Sequence, residues 1–284
     1  MSELITYLIS GLAIGCAFAL VGSGFVVVHR VTRVVNFTQG SLAIFGAMTS
    51  YSLLSMGLPH GIAELAAVIV AGGIGLLFGA IALGRRGTSP LISLMVTLGL
   101  SIFSSAVIIL VWGQDPLSPP GLTGSVMIAG ASFESQRLLV AVVAAVGFVG
   151  LFLFFDHSFA GKGLTAAASN PRAATLVGIN VRRMGLWSFA IAGVLGGIAG
   201  VLISPTNAVS FSSDLALALS GFAAAVFGGL TSICRTLIGG LVLGVAGQLV
   251  AGYLVGSYQT VIALLMMLIF MIARHRSLVV EEAK

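Results

Sequence analysis

Residues 11–47 read GLAIGCAFALVGSGFVVVHRVTRVVNFTQGSLAIFGA and contain the pattern that decides the fold. An apolar run ends in a short basic stretch with Arg30 and Arg33, and a second apolar run begins at about residue 40. An apolar run of about 20 residues can cross the roughly 30 Å hydrocarbon core of a bilayer as a helix. This stretch therefore predicts two membrane helices joined by a basic break.

The same pattern continues to the end of the chain. Of its 284 residues, 58% are hydrophobic and only 7% are charged, whereas soluble domains carry about 25% charged residues. We predict an all-α, polytopic transmembrane helical bundle that forms a single domain over residues 1–284. The seventh apolar segment is short and ends in Gly228-Gly229, so it is a candidate for a broken or re-entrant helix and the count is eight or nine. The nine segments are 4–28, 40–56, 62–84, 91–112, 137–155, 185–204, 215–231, 236–254 and 258–273.

The basic residues fall on one side of this arrangement. Twelve of the 13 lie at alternate breaks, and only Arg137 lies at the other set. Cytoplasmic loops are enriched in Lys and Arg, so we predict that the N-terminus is outside and the C-terminus inside. Residues 113–136 then form an extracytoplasmic loop and residues 157–184 a cytoplasmic one. The twelve inside residues are Arg30, Arg33, Arg85, Arg86, Lys162, Arg172, Arg182, Arg183, Arg235, Arg274, Arg276 and Lys284.

This sidedness also accounts for the net charge of +5, so nucleic-acid binding is not expected. The acidic residues favour the opposite side. Five of the eight are assigned to outside breaks, namely Glu3, Glu64, Asp115, Glu134 and Asp214.

The middle of every assigned segment lacks an acidic or basic side chain. Proton and ion relays in secondary carriers usually need such groups, which disfavours that class of transporter. Residues 161–163 lack the upstream glycine and the hydroxyl of a phosphate-binding loop, so we expect no ATP site here. Cys16 and Cys234 are far apart and suggest neither a disulfide nor a metal site. We expect no catalytic residues, metal or cofactor on this chain.

Uncharged polar groups mark a candidate path for a solute. One stripe of hydroxyls recurs at three- and four-residue spacing along the fourth segment: Ser93, Thr97, Ser101, Ser104 and Ser105. Such hydroxyls either bond to carbonyls of their own or a neighbouring helix or line a path for a small polar solute. Two breaks, at 36–40 and 227–230, either line a cavity or are buried in protein. Asn36 or Thr38 could equally cap the second helix.

Glycines recur four residues apart, a spacing that lets helices in lipid approach closely. We therefore predict close helix packing at five pairs: Gly11 and Gly15, Gly75 and Gly79, Gly193 and Gly197, Gly196 and Gly200, and Gly240 and Gly244.

The loop 157–184 contains a short helix with its own start and stop signals. Ser169 or Asn170 is placed to cap it, Pro171 suits the first helical position, and Gly178 suits the left-handed end. A helix of about two turns is unstable alone, so it must pack against something.

The partner of this helix is either its own bundle or a groove on a cytoplasmic protein. In the second case, Ala173 and Ala174 allow close contact and Leu176 and Ile179 are apolar anchors. Flanking basic residues would meet anionic lipid or an acidic rim. They are Lys162, Arg172, Arg182 and Arg183.

Four stretches together resemble one family. They are residues 11–47, quoted above; PLISLMVTLGLSI at 90–102 with WGQDP at 112–116; AASNPRAATLVGINVR at 167–182; and FAAAVFGGLTS at 222–232 with GGLVLGV at 239–245. The chain resembles, nearly end to end, the LivH-type permease subunits of branched-chain amino acid ABC importers, a group that includes urea and short-chain amide permeases. It departs at Thr38 and Gln39, where Ala and His are common in the family.

The resemblance implies a multi-pass permease in the cytoplasmic membrane of a prokaryote. Its partners would be a second permease, identical or different, two cytoplasmic ATPases that hold ATP and Mg, and an extracytoplasmic solute-binding protein. Residues 167–182 would contact an ATPase through Asn170, Pro171, Ala173, Ala174, Leu176, Gly178 and Ile179. The path would be bordered by Asn36, Gln39, Gly40, Ser93, Thr97, Ser101, Gly228 and Gly229.

We expect the solute to be small and polar or zwitterionic, with branched-chain amino acids as the first choice. We also expect this subunit to hold solute weakly, because no charge is assigned to the membrane interior. The alternatives are urea or a short-chain amide as solute, a stand-alone channel or secondary carrier, and a structural membrane anchor.

Overall fold

The computed structural model describes residues 2–84, 89–121, 124–128, 131–253, 261, 264–266 and 268–269. Ten helices and one hairpin lie within these ranges. The helices are α1 Ser2–Thr32, α2 Gln39–Ser55, α3 Ile62–Ala82, α4 Pro90–Trp112, α5 Ser135–His157, α6 Phe159–Ser169, α7 Pro171–Leu176, α8 Val181–Ile203, α9 Ser213–Phe227 and α10 Ile233–Tyr253. The antiparallel hairpin consists of β1 Ser125–Ile128 and β2 Ala131–Glu134, with Ser125 opposite Glu134.

The helical membrane bundle is confirmed in this part of the chain. Six described helices, α1, α3, α4, α5, α8 and α10, are long and apolar enough to cross a bilayer. The hairpin modifies the all-helical prediction locally, inside the predicted loop 113–136. The ninth predicted segment, 258–273, lies largely outside the described residues. The total number of membrane segments and their direction remain predictions.

Helix α1 occupies the centre of the bundle. It packs against α5, α8, α9 and α10, and its Leu20, Val21 and Phe25 are completely buried. Phe25 also meets Phe222 of α9 edge to face, with ring centroids 5.6 Å apart. Because lipid is as apolar as these side chains, shape complementarity rather than hydrophobic burial must specify the packing of the helices.

Glycines supply that complementarity, as their spacing predicts. Gly15 lies so close to α10 that a Cβ atom there would be 2.8 Å from the carbonyl oxygen of Gly240, and a Cβ on Gly11 would be 2.6 Å from Cα of Val245. Gly197 approaches α2 in the same way at Gly46. The close-packing prediction is confirmed at these positions, because no larger residue could occupy them without moving a helix.

Two helices begin inside the bundle rather than at its edge. The side chain of Gln39, the first residue of α2, donates to the carbonyl oxygen of Ala192, the twelfth of the 23 residues of α8. Asp214, the second residue of α9, lies beside Ser101, the twelfth of the 23 residues of α4. The two helices therefore both start about halfway along membrane-length neighbours, at 17 and 15 residues respectively. The breaks before them run inside the protein.

Candidate functional site

A buried carboxylate lies where α2, α4 and α9 meet. Asp214 is only 7% exposed, although the sequence places it in an outside break. The expectation that the membrane interior lacks charged side chains is therefore wrong at this residue. The physical reason is that the connection from Ile203 to Ser213 turns into the bundle, so α9 starts deep instead of at the surface.

Three hydroxyl groups surround one oxygen of this carboxylate. Oδ2 of Asp214 lies 3.1 Å from Oγ of Ser105, 3.2 Å from Oγ of Ser41 and 3.4 Å from Oγ of Ser101, each placed to donate a hydrogen bond. The hydroxyls of Ser41 and Ser101 are also 3.2 Å apart. Three separate helices thus contribute to one polar cluster, which we call the Asp214 cluster: Asp214, Ser41, Ser101 and Ser105.

The backbone approaches this cluster as closely as the side chains do. Gly40 packs directly on the carbonyl oxygen of Asp214, where a Cβ atom would overlap that oxygen. The first turns of α2 and α9 therefore touch. Each helix N-terminus carries a partial positive charge of roughly half an elementary charge, so both ends stabilise a carboxylate between them.

The rest of the hydroxyl stripe bonds to backbone groups of its own helix and of the neighbouring break, which is the structural role considered for it. Thr97 donates to the carbonyl oxygen of Leu94 at 2.8 Å, and Ser104 donates to that of Leu100 at 2.7 Å. Thr97 also accepts from the backbone N–H of Phe37 at 3.4 Å. Ser93 is buried. The stripe thus connects α4 to the break before α2 as well as to Asp214.

The break before α2 is a buried polar turn. Oδ1 of Asn36 accepts the hydroxyl of Thr38 at 2.6 Å and the N–H of Thr38 at 3.2 Å, and both side chains are fully buried. Thr38 occupies the N-cap position, but its side chain makes no capping bond. Asn36 Nδ2 and Gln39 Oε1 have no hydrogen-bond partner among the described residues, which is costly for buried polar atoms.

Gly228 and Gly229 lie apart from the Asp214 cluster. They end α9, where Gly229 has φ +68° and Leu230 has φ +58°. The 14 residues from Asp214 to Gly228 correspond to about 21 Å of helix. The carbonyl oxygen of Leu230 lies 3.3 Å from Nδ1 of His29, near the end of α1. The structure therefore places Gly40 and Ser101 beside Asp214. Asn36 and Gln39 lie at the adjoining turn, and Thr97 of α4 bonds to that turn. The glycine pair lies elsewhere.

The short helix in loop 157–184 has the predicted signals. Asn170, not Ser169, is the N-cap, since Oδ1 of Asn170 accepts from the N–H groups of Arg172 and Ala173 at 3.1 Å each. Pro171 is the first residue of α7, and Gly178 has φ +85°. Within α7 and its C-terminal turn, Leu176 is 88% exposed and Val177 is 76% exposed.

The side chains predicted to act together in this helix face different directions. Ala174 is only 3% exposed and packs inward, whereas Ala173 is exposed and Ile179 is partly buried. The predicted outward role of Ala174 is therefore wrong, since its methyl is covered by its own chain. Val177, which the sequence analysis did not choose as an anchor, joins Leu176 as the exposed apolar pair.

The loop is also held against its own bundle. Arg33 donates to the carbonyl oxygen of Ala168 at 3.3 Å, and Arg182 donates to that of Gly84 at 3.0 Å. Leu164 and Ala167 of α6 are fully buried beside Val31 of α1. The inner side of α6 thus packs under the bundle, while the Leu176–Val177 pair projects away from it.

A separate cavity of about 470 Å³ lies between α2, α3, α5 and α8. Most of its wall is apolar, and His60 Nδ1 is 2.9 Å from Glu64 Oε1 at its edge. Its lining does not include Asp214. The sequence analysis missed this cavity because its walls come from four distant segments.

Comparison with known proteins places this architecture among permeases. The profile of the family described as "Branched-chain amino acid transport system / permease component" matches residues 7–271. The high-affinity branched-chain amino acid transport system permease protein LivH of Salmonella typhimurium is 27% identical, over 96% of this chain and 95% of its own length. BraD of Pseudomonas aeruginosa, described in the same words, is 28% identical over 96% of each chain.

Other similarities are more distant. The guanosine ABC transporter permease protein NupQ of Bacillus subtilis is 30% identical over 69% of this chain and 66% of its own length. Among solved structures, PsaBC from Streptococcus pneumoniae in complex with Fab superposes with a TM-score of 0.56 at 13% identity, over 95% of this chain and 91% of that one. This last similarity concerns the fold alone.

Proposed function

The chain belongs to the branched-chain amino acid transport permease family and is a membrane permease subunit of an ABC transporter, and we propose that it imports branched-chain amino acids. The observation that supports this proposal is a polar cluster inside the bundle. It consists of the Asp214 cluster and the adjoining hydroxyl of Thr97. Ser101, Ser105 and Thr97 lie in the middle part of the membrane-length helix α4, beside the first turns of the shorter helices α2 and α9. A zwitterionic solute needs polar partners at this depth, where lipid offers none.

In this proposal the energy comes from partner subunits. Two cytoplasmic ATPases bind ATP and Mg, a second permease completes the membrane part, and an extracytoplasmic binding protein delivers the solute. The chain lies in the cytoplasmic membrane of a prokaryote with its N-terminus outside. The exposed Leu176–Val177 pair supports an ATPase contact at 167–182, because an apolar pair on a separately capped helix gains most by entering a groove.

Hydrolysis then moves the 167–182 segment, and the bundle alternates between an outward and an inward opening. The solute passes from the outside to the Asp214 cluster and from there to the cytoplasm. Asp214 is a carboxylate buried inside the bundle, so a lack of charged side chains no longer disfavours a secondary carrier. Membership of the permease family favours ATP-driven import over a stand-alone channel or carrier.

Purification of the tagged full-length chain from its own membranes in mild detergent tests the subunit composition. We expect two copies of an ATPase and a second permease to elute with it. Elution of this chain alone, with no ATPase after gentle cross-linking in the membrane, would contradict the proposal.

A further inference from the structure

We propose that the Asp214 cluster binds the ammonium group of the solute during its passage. This inference rests on the proposed function and adds a specific chemical role to one site within it. It replaces the expectation that the subunit has no charged contact for its solute. The juxtaposition that supports it is a buried carboxylate between two helix N-termini and three hydroxyls contributed by α2 and α4.

The carboxylate of Asp214 has unused binding capacity. The three hydrogen bonds that its side chain accepts from the described residues all go to Oδ2. Among the residues that the structure describes, Oδ1 accepts no hydrogen bond, and no Lys, Arg or His forms an ion pair with this carboxylate. A carboxylate offers about four lone-pair positions, so room remains for further donors. A charge buried without an opposite charge is a costly arrangement that membrane proteins retain mostly for function.

The hydrogen-bonding character of the cluster favours a ligand that donates hydrogen bonds. The hydroxyls donate to Oδ2 and keep lone pairs of their own, so the cluster as a whole is an acceptor for hydrogen bonds. An ammonium group has three donors and one positive charge, and it can bond to Oδ1 and to a serine oxygen together. The carboxylate of an amino acid is repelled by Asp214 and must therefore bind elsewhere.

The members of the cluster differ in exposure. Ser101 and Ser105 are half-buried, whereas Ser41 is fully buried, so the exposed part of the cluster belongs to its α4 hydroxyls. A solute moving along α4 would therefore meet the hydroxyls first and Asp214 behind them. This arrangement allows a transient contact, which suits a path that must release what it binds.

The test asks whether the cluster binds the positive charge of the ammonium group or only the apolar side chain of the solute. The complete assembly is purified in detergent, and its Tm is measured by tryptophan fluorescence. The measurement is repeated with each of two leucine analogues that lack one of its two charged groups. One is 3-methylbutylammonium, which lacks the carboxylate, and the other is 4-methylpentanoate, which lacks the ammonium. We expect 3-methylbutylammonium to raise Tm by about 2 °C or more and 4-methylpentanoate to leave it unchanged.

The Asp214→Asn variant has nearly the same shape but no charge, and it should lose the shift. Asp115→Asn is the matched control, because Asp115 is exposed, and it should keep the shift. Equal shifts with both probes, an equal shift with sodium or potassium chloride, or a shift that persists in Asp214→Asn would each overturn the proposal. The comparison of the two probes on the wild type does not depend on any variant folding.

Uptake by proteoliposomes that contain the complete assembly distinguishes a failure of the proposed function from a failure of the ammonium site. If the wild type takes up no leucine, the proposed function fails. If the wild type takes up leucine and Asp214→Asn does so at the same rate, the ammonium site fails and the proposed function stands. We expect Asp214→Asn to reduce uptake by about tenfold or more, since it removes one partner of a buried charge pair.

Discussion

The hydroxyl of Ser105 lies 3.1 Å from Oδ2 of Asp214, although the two residues are 109 positions apart in the chain. This contact connects α4 to the deep start of α9. It matters for the position of α4 because this helix is otherwise mostly exposed, with only Ser93, Thr97, Ser104 and Ile108 buried. A helix with so few protein contacts depends on a small number of polar bonds for its position.

Replacement of Gly40 by Ala should destabilise the fold. Its Cβ would overlap the carbonyl oxygen of Asp214, so α2 and α9 would have to separate. We expect a loss of about 1–3 kcal/mol, seen as a lower Tm of the purified protein in detergent. Gly99→Ala on α4 is the control, because nothing lies within 4 Å of its added methyl, and it should leave Tm unchanged or raise it slightly. Equal effects of the two substitutions would contradict the close approach of α2 and α9.

A charged side chain in place of Val177 should weaken the binding of this chain to its ATPase. Val177→Asp puts a carboxylate in the exposed apolar pair, so the variant should fold but elute without the ATPase. Met56→Asp is the control, since Met56 is also largely exposed but lies at the end of α2, and it should keep the partner. Retention of the ATPase by Val177→Asp, with uptake intact, would exclude this surface as the contact.

Replacing hydroxyl-bearing residues of the stripe by Leu should reduce solute uptake while leaving the amount of inserted protein nearly unchanged. Thr97→Leu and Ser101→Leu each add an apolar side chain beside the polar turn or the Asp214 cluster. We expect uptake by proteoliposomes to fall by about tenfold for the pair, while the amount of protein in the membrane stays near that of the wild type. Unchanged uptake in the inserted double variant would favour the structural-anchor alternative.

Labelling from the two sides of the membrane tests the direction of the chain. In a background with Cys16 and Cys234 replaced by Ser, single cysteines at Asp115 and Val177 should react from opposite sides. We expect Asp115→Cys to react with an impermeant maleimide added outside, and Val177→Cys to react only after the membrane is opened. The reverse pattern would invert the predicted topology.

The sequence was sufficient for features that depend on local chemistry. Basic residues such as Arg30 and Arg33 mark the end of α1, four-residue glycine spacing predicts that α1 and α10 each pack closely against another helix, and Asn170-Pro171 with Gly178 predicts α7. Each of these signals acts within a few residues of where it is read, so the neighbouring helices do not alter its meaning.

The Asp214 cluster could not be predicted from such local signals. Its hydroxyls come from positions 109 to 173 residues away, and the depth at which α9 starts depends on the path of the preceding loop through the bundle. A polar stretch between two apolar segments has the same composition whether it crosses the surface or enters the protein. The stripe of Ser101 and Ser105 was a signal that pointed toward this region, but hydroxyls on a helix can bond to carbonyls of that helix, so it did not identify Asp214 as a partner.

Leucine uptake by reconstituted proteoliposomes tests whether import requires both the partner ATPases and the carboxylate of Asp214. Liposomes are prepared with this chain alone, and with this chain together with the ATPases, second permease and binding protein that accompany it. The account predicts uptake only in the complete assembly, only with ATP inside with the ATPases, and strongly reduced in Asp214→Asn. Leucine uptake by this chain alone, without ATP and at the rate of the complete assembly, would contradict it.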